Sequence, residues 1–148
     1  AITLGTSDTT FSPDMTCTRA QILTFLWRAV GSPKAEIENP FTDVARDDYY
    51  YDAAIWAHQM GMVEGSAFEG DTPCTRASTV VYLWKNANMP VGGASVFEDV
   101  PADADFANAV SWAVDAGVTV GTGETTFSPD MICSRGQIVT FLNRAVNQ

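Results

Sequence analysis

Cys17-Thr18-Arg19-Ala20-Gln21 decides how the chain is read. It returns as Cys74-Thr75-Arg76-Ala77-Ser78 and again as Cys133-Ser134-Arg135-Gly136-Gln137, at intervals of 57 and 59 residues. Recurrence on that scale marks an architecture of repeated units. The likeness spreads outward from the cysteines. Phe11, Phe68 and Phe127 stand six positions before them, and Gly5, Gly65 and Gly121 come earlier still. Phe41-Thr42-Asp43-Val44 matches Phe97-Glu98-Asp99-Val100, and Trp56-Ala57 matches Trp112-Ala113. The unit is Phe-x-Asp-Val, helix, Gly, loop, Phe, Cys-Thr-Arg-Ala, helix. Two full units follow the second half of another. Ala1 aligns with Gly117, so the sequence is expected to be a segment of a longer protein.

Local chemistry predicts two kinds of helix. Thr18 to Gln21 has the capping-box form, in which the hydroxyl takes the backbone N–H three residues on and Gln21 reaches back. Ser134 to Gln137 repeats it, whereas Ser78 weakens the middle copy. Leu23, Leu26, Trp27 and Val30 follow at helical spacing, as do Val80, Leu83, Trp84 and Ala87, and then Val139, Leu142 and Val146. Gly31-Ser32-Pro33 ends the first of these helices. A second kind is predicted from about Asp47 to Met60 and from about Ala104 to Ala116, with Gly61 and Gly117 as C-terminal caps. Residues 31–40 and 88–95 read as linkers, placing units at 1–33, 40–89 and 96–147. No unit can bury its apolar faces alone, so an all-α protein of tandem helix–loop–helix repeats sharing a core is expected.

Composition removes whole classes of function. The net charge of −10 argues against nucleic acid, because phosphate neutralisation needs clustered Lys and Arg. No apolar run approaches the ~20 residues that span a bilayer, so no membrane insertion is expected. There is no phosphate-binding Gly loop, His-Glu-x-x-His or nucleophile elbow, and no enzyme or cofactor is expected. Asp47-Asp48 reads as a solvated helix start. The three cysteines fill one slot in each repeat and read as small buried hydrophobes. A metal at their centre lacks the close-spaced second ligands of zinc sites.

Arg19, Arg76 and Arg135 each fall in the first turn of a helix, where a cation opposes the helix dipole. Two readings stay open. Beside unpaired N–H groups, the guanidinium fork could hold the carboxylate of a ligand. Equally, each Arg could pair with an internal acid such as Asp43 or Asp99. Those two aspartates also suit capping of the turn before each first helix. Trp56 and Trp112 are either core or an exposed face for a sugar ring, and Trp27 and Trp84 read as core. Tyr49-Tyr50-Tyr51 is a partly exposed patch, and His58 reads as surface.

The ordered set resembles the S-layer homology family. Phe41, Asp43, Val44, Gly61, Gly65, Phe68, Pro73, Thr75, Arg76 and Ala77 carry it, and Phe97, Asp99, Val100, Gly117, Gly121, Phe127, Pro129, Ser134 and Arg135 carry it again. The resemblance implies a pseudo-three-fold, three-pronged spindle with a central helix bundle and grooves between the prongs. It implies an extracellular module of a bacterial surface protein, anchored non-covalently to a secondary cell-wall polysaccharide that often bears pyruvate ketals. The family's Thr-Arg-Ala-Glu arginine falls on Arg19, Arg76 and Arg135. With them, Asp43, Asp99, Trp56, Trp112, Gly65 and Gly121 are the candidate glycan-binding residues. The rival is a structural or protein-interaction module of a surface protein without glycan binding.

The chain departs from the family pattern in places. The motif's Glu is Gln21, Ser78 and Gln137; the aromatic early in the first helix is Tyr49 but then Asp105; and Cys stands where an aliphatic is usual. Half of the first repeat is missing, which leaves one groove incomplete or open to self-association with another chain. The arginines lead to the expectation that Arg76→Ala and Arg135→Ala weaken wall binding and leave helicity intact.

Overall fold

Each cysteine-led stretch opens a helix. The computed structural model describes residues 2, 5–7 and 9–147, and among these lie α1 (Arg19–Ala29), α2 (Tyr51–Gln59), α3 (Arg76–Asn86), α4 (Ala107–Asp115) and α5 (Arg135–Val146). Ala1, the residue aligned with Gly117, lies outside the described residues. Extended backbone is confined, among the described residues, to isolated bridges at Thr16–Ser134, Thr18–Pro73 and Thr75–Ile132. The protein is all-α.

The caps form as the sequence predicts. The Thr18 and Ser134 hydroxyls accept from the Gln21 and Gln137 backbones, and both Gln side chains accept from the cap N–H. Thr75 accepts from the Ser78 backbone without the reciprocal bond. Gly61 and Gly117, at φ +72° and +70°, end α2 and α4 in the left-handed conformation that glycine adopts without penalty.

α2 and α4 begin later than predicted. Asp48 N–H bonds to Ala45 C=O and Tyr51 N–H to Asp48 C=O, while Ala45 N–H bonds to the Asp48 carboxylate. Ala104 and Ala107 repeat the backbone pair onto Pro101 and Ala104. These i→i+3 bonds make a tight turn ahead of each helix rather than its first α-helical turn.

α1, α3 and α5 touch one another and form the centre; α2 packs on α1, and α4 on α3. Cys17 N–H bonds to Cys133 C=O at 3.1 Å, Cys133 N–H to Cys74 C=O at 2.9 Å, and Cys74 N–H to Cys17 C=O at 2.9 Å. The three repeats therefore close in a ring. Its thiols are buried, and burial pushes those of Cys17 and Cys74 up to about 12, so they stay protonated. Thr79, fully buried, places its hydroxyl 3.3 Å from Cys74 Sγ and 3.8 Å from Cys133 Sγ.

Two tryptophans differ from their expected burial. Trp27 and Trp84 are only half-buried; their indole N–H groups donate to Pro33 and Pro90 carbonyls and pin each linker onto its helix. Asn143 fills that slot on α5 and is exposed. Leu23 and Val80 are fully covered, by contrast with the half-buried Val139 at the same position of α5. Among the described residues no helix is long and apolar enough to cross a membrane.

Removing either complete capping box strips a helix start of its first-turn acceptor. Thr18→Ala and Ser134→Ala are each expected to lower unfolding free energy by about 1 kcal/mol, read by urea denaturation. Helical circular dichroism of the folded protein should not change.

Candidate functional site

The three arginines leave the helix starts pointing at the loop of the next repeat. Arg19 N–H bonds to Thr72 C=O and Ala20 N–H to Gly70 C=O. Arg76 and Ala77 bond to Met131 and Pro129, and Arg135 and Gly136 to Met15 and Pro13, in the same register. With the third N–H held by the capping hydroxyl, the first-turn donors are spent. The unpaired N–H groups expected for an anion are therefore not available, because a neighbouring loop has docked there.

The guanidinium groups grip that same loop. Arg76 Nε donates to Phe127 C=O at 2.8 Å and Nη2 to Val120 C=O at 2.8 Å. Its guanidinium lies 4.7 Å from the Phe127 ring centre and 5.5 Å from Phe141. Arg135 Nε donates to Phe11 C=O at 3.1 Å, between the rings of Phe11 and Phe25. Arg76 is 5 % exposed and Arg135 4 %. Burial pulls the Arg76 guanidinium below its ordinary value, against the opposing charge of Asp99. Among the described residues, Arg76 hydrogen-bonds to two carbonyls and the Thr119 hydroxyl and packs on two rings, rather than pairing with the internal acid expected. Replacing Arg76 or Arg135 by Ala therefore also removes buried hydrogen bonds and is expected to lower stability.

Arg19 is posed differently. Nη1, not Nε, takes the loop carbonyl, Phe68 C=O at 2.7 Å, and Nε donates to the Tyr82 hydroxyl at 3.1 Å. The side chain is 23 % exposed and lies 3.8 Å from the carboxylate of exposed Glu69.

Asp43 and Asp99 hold the loops from the other side. Asp43 accepts from Phe68 and Glu69 N–H at 2.8 and 2.9 Å, and Asp99 from Phe127 and Ser128 N–H at 2.8 Å each. Glu69 and Ser128 have φ of +54° and +58°, strained for residues with a Cβ. The carboxylates thus clamp a left-handed turn far along the chain, not the turn before the first helix as expected. Those N–H bonds hold both carboxyls below the usual carboxylate value.

The other candidates are packing residues in this geometry. Trp56 and Trp112 are 5 % and 9 % exposed and belong to the core, so neither offers a face to a sugar ring. Gly65 is exposed at φ +82°. A Cβ on Gly121 would lie 2.6 Å from Phe97 Cε1 and from the Thr126 carbonyl, so only hydrogen fits. His58 is half-buried against Phe41 instead of lying on the surface. Tyr49 is 60 % exposed, in keeping with the aromatic patch.

A concave site lies one step beyond Arg19. A groove of about 300 Å³ runs along α3 to the start of α4, lined by Ser78, Tyr82, Trp84, Lys85, Asp105 and Phe106 among others. Tyr82 is the wall that this groove shares with Arg19. Lys85 Nζ donates to Gly61 C=O at 2.7 Å, which fixes the ammonium at the groove's edge. The Ser78 hydroxyl, a cation, a carboxylate and three aromatic side chains line the groove. Such a mixture suits a polyol ring with polar rims and apolar faces. Ser78 and Asp105 stand where the family pattern has Glu and an aromatic, so two of the departures from the pattern meet in this groove.

If the aspartate clamps carry the loops, acid should release them. Their folded values lie below the unfolded carboxylate value of 3.8, so their contribution is full above that pH and lost as pH falls through the lower folded values. The Asp43→Asn/Asp99→Asn double variant should be less stable at pH 7 and show a shallower loss of stability below pH 3.8, by urea midpoints across the acid range.

The matches to known proteins agree with this organisation. The profile described as "S-layer homology domain" matches residues 40–79 and 96–139, more than half of the chain. Over 93 % of its length the chain is 26 % identical to the exoglucanase XynX of Acetivibrio thermocellus, and equally to an amylopullulanase of Thermoanaerobacterium thermosulfurigenes. It spans 14 % and 8 % of those relatives' own lengths. With its repeats, caps and matched segments accounted for, the chain belongs to the S-layer homology family.

Proposed function

We propose that the chain anchors a bacterial surface protein non-covalently to a secondary cell-wall polysaccharide, held in grooves between repeats of about 1–33, 40–89 and 96–147. The observation that carries this reading is the groove along α3, where Ser78, Lys85 and Asp105 surround a space flanked by Trp84 and Phe106. Its volume of about 300 Å³ suits one or two sugar rings. The net charge of −10 repels an anionic polymer at long range, so a pyruvylated glycan must be held by local cations. Lys85 lines this groove, and Arg19 is joined to it through the Tyr82 hydroxyl. The two relatives are, by name, an exoglucanase and an amylopullulanase many times longer than this chain, and a module that keeps such an enzyme at its cell wall fits that setting.

The burial of Arg76 and Arg135 favours a second reading for their seams, in which the repeated arginine serves assembly alone. Both readings are compatible in one molecule, since the seams are not alike.

Co-sedimentation with purified wall sacculi tests the proposal. The chain should pellet with intact sacculi and stay in solution with sacculi stripped of the secondary polymer. Lys85→Ala and Asp105→Ala should each weaken binding about tenfold, the scale of one charge-assisted hydrogen bond, with unchanged helicity. Equal binding to stripped sacculi, or no effect of either substitution, would overturn it.

A further inference from the structure

We propose that Tyr82 selects which arginine is free for an acidic ligand, leaving Arg19 open while Arg76 and Arg135 are committed to structure. The inference rests on the groove along α3 being the glycan site, and it names the residue that determines its specificity for acid-bearing sugars.

The argument is a comparison of three copies in one molecule. Seven residues after each capping residue comes an aromatic: Phe25, Tyr82 or Phe141. Where it is Phe, the arginine lies between that ring and the loop Phe, and its Nε takes the loop carbonyl. Such a pose uses the guanidinium face and turns the group inward. Where it is Tyr, the buried hydroxyl accepts from Arg19 Nε. Nη1 then takes the Phe68 carbonyl, and the side chain stays 23 % exposed. Among the described residues Arg19 Nη2 makes no hydrogen bond.

The open edge is suited to a carboxylate. A guanidinium holds one through parallel N–H···O bonds, and its planar fork sets direction as well as charge. Glu69 lies 3.8 Å from Nη1 but is itself 67 % exposed. Surface pairs of that kind contribute little, so a ligand carboxylate held by the adjoining groove displaces it readily. Tyr82 reaches both elements, lining the groove and fixing the arginine. The ligand class is a hexose carrying a ketal-linked or other exposed carboxylate on the edge nearest α1.

The test uses Tyr82→Phe in the full chain, with two synthetic probes: a methyl hexoside carrying a pyruvate ketal and the same hexoside without it. Calorimetric titration should give Tyr82→Phe a loss of affinity for the ketal probe at least tenfold larger than its loss for the neutral probe. Arg19→Gln should do the same, and adding Tyr82→Phe to Arg19→Gln should change nothing further, because Tyr82 acts through Arg19. Wild-type affinity in Tyr82→Phe, or a further loss in the double variant, overturns the inference. A second readout needs no ligand: in Tyr82→Phe the Arg19 side-chain protons should shift upfield in the NMR spectrum as the guanidinium moves onto aromatic rings. Unmoved Arg19 resonances would contradict the selection mechanism even if sacculi bind. A clear shift with no binding of either probe would leave the mechanism intact and count against the glycan groove.

Discussion

Three backbone hydrogen bonds at the axis hold the molecule in its shape. Cys17, Cys74 and Cys133 each donate to another of the three and accept from the third, so the chain's repeats close on themselves. A peptide group buried without a partner costs about 1–3 kcal/mol, and the ring leaves none of these six groups unmet. The side chain at that place must be small, apolar and close to its copies. Cysteine meets these demands, and burial keeps the Cys17 and Cys74 thiols protonated rather than reactive.

Closing the ring decides what happens to the helix starts. Each helix meets the loop of the following repeat, or of the first repeat in the case of α5, and gives it two N–H groups and an arginine. The loops are held in return by Asp43 and Asp99, which accept from residues at positive φ. Groups that attract anions at an ordinary helix N-terminus are thus used internally. The groove along α3 lies where a copy deviates: Ser78, Asp105 and Tyr82 differ from their counterparts and all line it.

Much of this was legible in the sequence because it is local. Capping boxes, helix-ending glycines and the period of the repeat rest on residues within one turn of each other. The fates of the arginines were not legible, since each is gripped by a backbone carbonyl 44 to 124 residues away. A carbonyl leaves no mark in the residue letter. The roles of Asp43 and Asp99 were hidden for the same reason, and Trp56 and Trp112 could not be assigned between core and surface by spacing alone. One further signal stands in the sequence: Tyr82 is the only hydroxyl-bearing member of the set Phe25, Tyr82, Phe141, and it marks the seam whose arginine is posed differently.

The ring makes all three repeats open together or not at all. Native-state hydrogen exchange at the amides of Cys17, Cys74 and Cys133 tests this directly, because exchange through local opening and through global unfolding differ in free energy. The three amides should exchange with one common free energy, equal to that of global unfolding. Exchange of any one of them at distinctly lower cost, with the other two still protected, would contradict a closed ring as the constraint on which the fold depends.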